Sequence, residues 1–498
     1  MKNSLIVNRE RCIGKRDKMI FGQFIEHFHR IIYDGIYCPS SSLSDEDGFR
    51  SDVIEALCKI APAIIRWPGG CFVSSYHWRD GVGERRTLFD KAWRVEEDNS
   101  FGTDEFVKLC QKLNCEPYIC TNAGTGTAEE MSDWVEYCNL PCEGENAKLR
   151  IKSGNKEPHN VHYWSIGNEN YGSWEIGAKT ADEWALLVTE SAKMMKRVDP
   201  TIQLSAAALS DVNWNLKLLE RAGDYLDWIS IHGYWDFPGA NNECASYEQA
   251  LAFTKNLDGA IKKVEGILAA TGRSDKIKIA YDEWNLKGWY HPNSHTKHVP
   301  ADKELYITPR DKNDDNSKYT MADAVFSACF LNTLLRHCNS VRMANYAPTV
   351  NGRGLVYVHD DGIVLRSTYH VFDMYINLLG EEVVDLWVQK SEITEVKDKW
   401  NNKVVIDKLD AVATKCEDNT LAIALVNKAE GENAEVAINA EGNKKWRLYT
   451  LNGESADSFN DVNHPDSVKI AETEIECDGE TVKVILEPHS VNVLKAIE

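Results

Sequence analysis

Short apolar runs alternate with amphipathic helical stretches from Met19 to about Tyr346. Such alternation is typical of a parallel sheet whose strands are joined by external helices. Eight runs are candidate strands: Met19–Glu26, Ala63–Gly70, Glu116–Asn122, His162–Glu169, Gln203–Ala208, Trp228–Tyr234, Lys278–Trp284 and Ser340–Tyr346. Eight such units favour a closed (β/α)8 TIM barrel, because an open doubly wound sheet usually has fewer.

The connecting stretches carry recognisable helix signals. A helix that begins at Thr103 places Phe106 and Leu113 on one apolar face. Thr180 and Glu183 have the spacing of a capping box, in which two side chains satisfy backbone N–H groups at the start of a helix. The predicted helices therefore fall between the predicted strands, as a barrel requires.

The pattern changes near Gly380. A last helix begins at about Ser367 and is predicted to end at Gly380, since glycine readily takes the left-handed conformation that follows many helices. Beyond it, short strands alternate apolar and polar positions, as at Val482, Val484 and Leu486, and turn residues separate them. We predict a catalytic barrel over residues 18–380 and an all-β, jelly-roll-like sandwich over 381–498.

Two long polar stretches interrupt the barrel pattern. Cys142–Asn160 precedes the fourth strand, and Pro292–Lys318 follows the seventh. Both stretches are too polar to build a core, so they are predicted to be surface loops. They are expected near the active face, where loop length shapes a substrate site.

Composition narrows the class of function. The net charge of the 498 residues is −21, which would repel nucleic acid and anionic membranes and favours a neutral substrate. No stretch approaches the length of a membrane span, and the early apolar run Leu5–Val7 is too short for a signal-peptide core. The 14 cysteines are scattered singly, as expected of free thiols in a reducing compartment. We therefore expect a cytoplasmic protein.

Chemically useful side chains lie at the carboxyl ends of the predicted strands, where a barrel has its active face. They are Glu26, Asn168, Glu169, Tyr234, Glu283 and Asn345. Glu169 and Glu283 end strands four and seven, so they face each other across the mouth. Glycosidic cleavage needs one carboxylic acid to protonate the leaving oxygen and one carboxylate facing the anomeric carbon. A separation of about 5 to 5.5 Å gives retention of configuration, and a wider gap gives inversion.

The two carboxyl groups must differ in protonation. A charged Glu283 is expected to raise the pKa of Glu169, so that Glu169 keeps its proton in the resting enzyme. The alternative is that both are ordinary solvated residues at strand ends. Asn168, placed to bind a sugar hydroxyl, and Tyr234, placed to donate to a carboxylate, favour the catalytic interpretation.

Six motifs together resemble glycoside hydrolase family 51, the α-L-arabinofuranosidases. They are Phe21-Gly-Gln-Phe-Ile-Glu26-His, Arg66-Trp-Pro-Gly-Gly-Cys71, Asn122-Ala-Gly-Thr-Gly-Thr127, Trp164-Ser-Ile-Gly-Asn-Glu169, Ser230-Ile-His-Gly-Tyr234 and Asp282-Glu283-Trp-Asn. The resemblance implies Glu169 as acid/base and Glu283 as nucleophile, with Glu26, Cys71, Asn168 and Tyr234 around a terminal furanose. It further implies that residues 1–17 join the C-terminal sandwich and that the enzyme is a homo-oligomer, often a hexamer.

These expectations describe a retaining exo-hydrolase of arabinose-containing oligosaccharides that needs no cofactor or metal. Many family members have glutamine after the eighth strand to touch the sugar, but this chain has Pro348. Asn345 or Asn351 could replace that contact, or the pocket could suit a related sugar. The alternatives are therefore a retaining hydrolase of a β-xyloside, β-galactofuranoside or β-glucan, and a catalytically silent carbohydrate-binding barrel.

Aromatic and histidine side chains near the strand ends are further candidates. Aromatic faces can stack on sugar rings, and the tryptophans considered are Trp78, Trp174, Trp235, Trp284 and Trp289, with Trp284 taken as a substrate-binding residue. His27, His29 and His232 lack the spacing of a helical metal site. We interpret them as polar pocket wall.

Overall fold

A computed structural model describes residues 3–238, 243–288, 314–440, 445–477, 479 and 481–497. Its strands, in chain order, are β1 Asn3–Lys15, β2 Gly22–Phe24, β3 Ile64–Trp67, β4 Leu88–Asp90, β5 Val95–Glu97, β6 Glu116–Thr121, β7 Tyr163–Ile166, β8 Gln203–Ala206, β9 Trp228–Asp236, β10 Lys278–Lys287, β11 Val341–Tyr346, β12 Val356–His359, β13 Gly362–Leu365, β14 Glu382–Lys390, β15 Ile393–Lys397, β16 Lys403–Asp407, β17 Leu409–Lys415, β18 Leu421–Asn427, β19 Ala434–Asn439, β20 Lys445–Asn452, β21 Lys469–Glu476, β22 Thr481–Leu486 and β23 Ser490–Ala496.

The helices are α1 Ser51–Ile60, α2 Thr103–Leu113, α3 Ala128–Asn139, α4 Gly144–Lys152, α5 Ala181–Val198, α6 Val212–Ala222, α7 Tyr247–Phe253, α8 Gly259–Ala270, α9 Met321–Arg336 and α10 Ser367–Leu378. Short 3₁₀ turns lie at Lys18–Phe21, Cys71–Ser75, Trp78–Gly81, Thr254–Asn256 and Asn316–Lys318. Among the described residues, no helix combines the length and the apolar character that crossing a membrane requires.

Eight parallel strands form the barrel, in the order β8-β7-β6-β3-β2-β11-β10-β9. The ring closes between β8 and β9 through a bridge from Ala207 to Ser230, supported by the bond from Ala208 N to Ser230 O at 2.8 Å. Each strand lies inside its predicted run except β9 and β10, which extend two and three residues further. The predicted (β/α)8 barrel is therefore confirmed.

The helix signals are largely confirmed. α2 begins at Thr103 and buries Phe106 and Leu113, and the capping box of Thr180 and Glu183 is present at the start of α5. The predicted loop Cys142–Asn160 is wrong in part, because it contains α4. Buried Arg150 ties this helix to backbone carbonyls of the chain that precedes it. Most of the predicted loop Pro292–Lys318 lies outside the described residues.

Gly380 follows α10, but its predicted role is wrong. It does not have a positive φ, and the helix is capped by Leu379 in an extended conformation. A Cβ on Gly380 would stand 2.2 Å from the backbone of Lys415 at the end of β17. Glycine is needed here because the chain leaving the barrel passes directly against a strand of the C-terminal domain.

The C-terminal domain is built on one nine-stranded sheet in the order β21-β20-β23-β18-β17-β14-β1-β19-β22. β1 lies between β14, which is antiparallel to it, and β19, which is parallel. Apolar side chains from both ends of the sheet, including Leu5, Trp446 and Val484, share one core. The hairpin of β15 and β16 reaches back to the barrel, where Lys399 pairs with buried Asp236 at the end of β9.

Candidate active site

The carboxyl ends of β7 and β10 place Glu169 and Glu283 at the mouth of the barrel. Glu169 stands just beyond β7 with a φ of 45°, and this turn directs its side chain over the opening. β10 has a register irregularity between Ala280 and Glu283 against β9. A bulge lets two consecutive residues reach the same side of a sheet. Asp282 and Glu283 accordingly both contact the polar cluster inside the barrel.

Glu283 is held by two donors. The Arg66 guanidinium donates through Nη1 to Oε1 at 2.5 Å, and the Tyr234 hydroxyl donates to Oε2 at 2.8 Å. The Arg66 side chain is fully buried and also reaches Asn168 Oδ1 at 2.9 Å. A hydrogen bond from a guanidinium is strong and directional, so the two contacts hold Glu283 in one orientation. Glu283 is therefore positioned for nucleophilic attack.

Glu169 has both oxygens occupied by donors. His232 Nδ1 lies 2.9 Å from Oε1, the Trp174 indole N–H lies 2.8 Å from Oε2, and the Tyr171 hydroxyl lies 3.3 Å from Oε1. Carboxylate oxygens of Glu169 and Glu283 and a ring nitrogen of His232 all lie within 4.8 Å of one another. This close approach of single oxygen atoms favours the direct attack of a retaining mechanism, in which the carboxyl groups lie about 5 to 5.5 Å apart.

The expected rise in the pKa of Glu169 is wrong for the substrate-free protein. Burial raises the pKa of Glu169, but the hydrogen bond and positive charge of His232, together with the hydrogen bonds from Trp174 and Tyr171, outweigh burial, so the net shift is downward. Burial lowers the pKa of His232, yet Glu283, Asp282 and Glu169 together raise it to about 10. The resting pair is therefore a carboxylate beside an imidazolium, and the shared proton lies on the His232 side.

That imidazolium also bears on metal binding. Glu169, His232 and Glu283 have the spacing of a metal-ligand group among the described residues. A histidine must be neutral to bind a metal ion, and the raised pKa of His232 disfavours this form. The cluster is therefore better suited to proton transfer than to holding a cation.

Glu26 lies on the opposite wall, at the end of β2. Its Oε1 accepts hydrogen bonds from the Phe72 backbone N–H and from the Trp93 indole, both at 3.0 Å. Burial, together with the charge of Glu283, raises the pKa of Glu26 to about 8. Glu26 is therefore protonated at neutral pH and can donate a hydrogen bond to a neutral ligand.

Gly70 leaves the space between these carboxyl groups open. A Cβ at this position would stand 3.2 Å from Glu283 Oε1 and 3.4 Å from both oxygens of Glu26. Any larger side chain would extend between the two glutamates. The space beside Gly70 therefore stays open between Glu26 and Glu283.

Asn168 and Cys71 lie beside this volume and share a partner that the sequence did not reveal. Buried Glu175 contacts the Cys71 thiol, accepts a hydrogen bond from Ser74 Oγ at 2.6 Å and accepts one from Asn168 Nδ2 at 3.4 Å. Burial raises the pKa of Glu175 to about 7. Glu175 thus fixes two of the predicted sugar contacts relative to each other.

Comparison with known proteins agrees with this geometry. The sequence-family model of the α-L-arabinofuranosidase 1 domain matches residues 56–251. The family model of the α-L-arabinofuranosidase C-terminal domain matches residues 282–490. The chain is 35% identical over 462 residues to the intracellular exo-α-(1→5)-L-arabinofuranosidase of Acetivibrio thermocellus, covering 90% of this chain and 89% of that one.

The chain belongs to the α-L-arabinofuranosidases of glycoside hydrolase family 51. A second relative, the intracellular exo-α-(1→5)-L-arabinofuranosidase 1 of Bacillus subtilis, is 36% identical and covers 90% of this chain and 89% of its own. The arabinose complex of the Thermotoga maritima α-L-arabinofuranosidase superposes with a TM-score of 0.86 at 36% identity, covering 99% of both chains.

Two residues expected at the sugar site of this family 51 member are placed elsewhere. Trp284 is fully buried, and its indole packs against the rings of Phe330, Tyr346 and Phe372. Its assignment to the substrate is therefore wrong, because the side chain after Glu283 points toward the helical layer. Asn345 is also buried, and its amide donates to the Gln23 carbonyl at 2.8 Å, which ties β11 to β2.

The residues near Pro348 do not offer the expected replacement contact. Asn351 donates to the Arg30 carbonyl at 2.6 Å and accepts from the Val358 N–H at 2.7 Å. The amide nitrogen and the amide oxygen of Asn351 both bind backbone groups, so its side chain stabilises the loop after β11 in this arabinofuranosidase fold. The missing glutamine contact is not restored by either asparagine in the substrate-free protein.

The other aromatic candidates divide between core and site. Trp78 is buried against Trp134, and Trp235 packs against Phe326 and Phe330. Trp174 bonds Glu169, whereas Trp289 lies outside the described residues.

Of the three histidines, only His232 joins the carboxylate cluster. His27 accepts a bond from the Trp67 indole at 3.0 Å, and His29 pairs with Asp314 at 2.9 Å. Both are buried supports behind the site rather than pocket wall. Arg66 and Asp282 were missed, although each is a charged residue within an apolar barrel strand and a buried charge requires a partner.

Proposed function

We propose that this protein is a retaining exo-α-L-arabinofuranosidase that releases terminal, non-reducing α-L-arabinofuranosyl residues from short oligosaccharides. Membership of family 51 and the names of the Acetivibrio and Bacillus relatives support the sugar and the exo mode of action. The same names call those enzymes intracellular, which supports cytoplasmic action on imported oligosaccharides. The carboxylate pair within 4.8 Å is the observation that carries the reaction type.

In the first step, a Glu283 oxygen attacks the anomeric carbon while the bond to the leaving oxygen breaks. Arg66 and Tyr234 each donate to one oxygen of Glu283 and so hold the carboxyl group beside the space next to Gly70. The sugar becomes an ester of Glu283, so the charge that faced His232 and Glu26 is removed.

The leaving oxygen takes its proton from Glu169. In the resting protein this proton is shared with His232 Nδ1, which lies 2.9 Å from Glu169 Oε1. Glu169 can therefore deliver a proton as it receives one from the imidazolium, and the pair acts as a single acid. In the second step Glu169, again a carboxylate, accepts a proton from the water that attacks the ester.

The glycone side is enclosed in a way that suits a single terminal ring. Glu26, the Phe72 backbone and Trp93 close the wall at β2 and β3. Asn168 and Cys71, fixed by Glu175, border the same volume. We assign Glu26, Asn168 and Cys71 to the hydroxyl groups of the furanose.

A panel of 4-nitrophenyl glycosides tests the proposal. We expect rapid hydrolysis of the α-L-arabinofuranoside and slow hydrolysis of the β-xyloside, β-galactofuranoside and β-glucoside. NMR of the first product should show the α-anomer. A good rate on another sugar beside negligible turnover of the arabinofuranoside would contradict the proposed specificity, and a β-anomer would contradict retention.

We further infer that the enzyme is a homo-oligomer. The C-terminal domain exposes the large apolar side chains of Trp387, Ile393 and Trp400, and subunit contacts commonly cover such side chains. Sedimentation velocity at micromolar concentration measures the mass directly. A single species at the mass of one chain, 56.3 kDa, would contradict this inference.

A further inference from the structure

The end of β9 is an extension that has a neighbouring strand on one side. It carries Tyr234, whose hydroxyl donates to Glu283 Oε2 at 2.8 Å. On the β8 side, the last ladder contact of the described residues is the bond from Ala208 N to Ser230 O. Beyond it, the described ladder continues as far as Asp236 with β10 alone. Local stability falls where fewer contacts hold a segment, so the position of this end depends on side-chain contacts.

Asp236 supplies contacts of this kind. Its side chain is fully buried, and its Oδ2 accepts a hydrogen bond from Ala245 N at 2.7 Å. Its backbone oxygen accepts another from Gly288 N, also at 2.7 Å. Its Oδ1 pairs with the Lys399 ammonium group. Asp236 therefore joins the end of β9 to the loop that follows, to the residue after β10 and to the C-terminal domain.

The cation that meets Asp236 comes from the C-terminal domain. Lys287 lies opposite Asp236 on β10, but its ammonium group is paired with buried Asp323. Lys399 stands at the tip of the hairpin of β15 and β16, and its side chain is 23% exposed. Removing one partner of a buried ion pair is strongly unfavourable, because the other partner is left in a nonpolar environment. The end of β9 thus depends on Lys399.

The hairpin is itself fixed against the barrel. Val396 and Ile406 are buried in the same hydrophobic core as the barrel helices. Lys397 N donates to Glu248 Oε1 on α7 at 3.0 Å. These contacts hold the base of the hairpin, so Lys399 is presented to the barrel from a defined position.

A change at Asp236 reaches the proposed nucleophile through two residues of strand. Successive side chains of a strand alternate between its faces, so Tyr234 and Asp236 project from the same face. The Tyr234 hydroxyl in turn holds Glu283 Oε2. A misplacement of about 1 Å at a reacting centre can lower a rate about 100-fold. The rate therefore depends on where the end of β9 is held.

We propose that Lys399, acting through Asp236, is a positioning residue that sets the placement of the Tyr234 hydroxyl against Glu283. This inference rests on the proposed function, in which Glu283 is the nucleophile. It gives the C-terminal domain a part in the geometry of the active site in addition to its part in the fold.

A double-mutant cycle tests the inference, because it separates an effect through Tyr234 from a general structural effect. We expect Lys399→Met to lower kcat on 4-nitrophenyl α-L-arabinofuranoside about tenfold. In a Tyr234→Phe background, the same substitution should lower kcat less than about twofold, since the hydroxyl that Lys399 positions is already absent. The same fold-loss in both backgrounds, or an unchanged kcat in Lys399→Met, would overturn the inference.

Lys403→Met is the matched control. Lys403 lies on the same hairpin, is 70% exposed and pairs with Glu395 of the neighbouring strand. Its replacement should leave kcat unchanged, and a tenfold loss there would overturn the inference, since any disturbance of the hairpin would then have the same effect. Lys399→Arg keeps a cation and should retain kcat within about threefold.

Thermal unfolding of each variant checks that it folds. If Lys399→Met does not fold, Lys399→Gln, which retains a hydrogen-bond donor, replaces it in the cycle and should likewise lose activity only where Tyr234 is present. If the unmodified protein does not hydrolyse the arabinofuranoside, the proposed function fails. The cycle is then measured on the aryl glycoside that the protein does hydrolyse, with the same two outcomes for Lys399.

Discussion

Arg66 and Glu283 form a buried ion pair, with Nη1 and Oε1 2.5 Å apart, and the same guanidinium bonds Asn168. One cation on β3 thus aligns the proposed nucleophile on β10 with a proposed sugar contact after β7. Only the planar, forked guanidinium can reach several partners in fixed directions, because a lysine ammonium is a single point charge.

Arg66→Lys should therefore lower kcat by about 100-fold, since the charge remains but the alignment is lost. Steady-state kinetics on the aryl arabinofuranoside measures this change, and circular dichroism checks the fold. Arg11→Lys is the control, because Arg11 pairs with Asp385 on the exposed surface of the C-terminal domain. Unchanged kcat in the Arg66 variant would show that charge alone is sufficient.

The roles of Glu169 and Glu283 can be separated by azide rescue. Each alanine variant should lose about 10³-fold or more in kcat, as removal of a group used in bond breaking does. Azide should then give an α-arabinofuranosyl azide with Glu169→Ala, because it attacks the Glu283 ester. With Glu283→Ala, azide replaces the nucleophile and should give the β-azide.

NMR of the isolated azides distinguishes these outcomes. Exchanged anomers would mean that the assigned roles are reversed. Glu84→Ala, at an exposed position, should show full activity and no azide product.

The raised pKa of Glu26 predicts that kcat/KM falls at alkaline pH. Its pKa is raised to about 8, so the neutral form that donates to a sugar predominates below that pH. As the pH rises through 8, Glu26 ionises, the donor is lost and a second negative charge appears near Glu283. We therefore expect kcat/KM to fall with a midpoint near pH 8 in the unmodified enzyme.

Glu26→Gln keeps a neutral donor at every pH and should abolish that limb of the kcat/KM profile. Its amide oxygen can still accept from Phe72 and Trp93, so the wall at β2 is preserved. A midpoint near pH 8 that persists in the variant would assign the limb to another group.

Gly70 predicts a steric effect on substrate binding. Gly70→Ala places a methyl group 3.2 Å from Glu283 Oε1 in the volume assigned to the furanose. We expect KM to rise by about tenfold or more, and the thermal unfolding midpoint of the variant checks that it folds. Gly266→Ala, where nothing lies within 4 Å of the added carbon, should change neither quantity.

The sequence predicts the barrel and its two facing glutamates from the periodicity of the strands and from the residues at their ends. All eight barrel strands were found because their apolar runs are bounded by turns, and the facing positions of Glu169 and Glu283 follow from barrel geometry. Trp284 was misplaced because the bulge in β10 alters which residues face the interior after Ala280. A bulge leaves no mark in a pattern of apolar and polar letters.

The electrostatics of the site depend on partners that are remote in sequence. The sequence predicts the wrong direction for the shift in the pKa of Glu169, because it indicates the nearby charge of Glu283 but not the hydrogen bond from His232. Arg66 and Asp282 act through contacts between different strands, and Glu175 joins the loop after β7 to the turn after β3, so spacing alone could not reveal their roles. In the sequence Gly380 has the pattern of a local helix end, but Lys415 in the C-terminal domain sets its environment.

The position of β1 governs how this protein can be made. β1 leaves the ribosome long before β14 and β19, its two neighbours in the nine-stranded sheet, and the whole barrel is synthesised in between. Its apolar face, which includes Leu5 and Val7, is exposed until those strands emerge and must be protected from aggregation during that time. A fragment beginning after Gly380 would lack an interior strand, so the C-terminal sheet cannot be produced as an independent module.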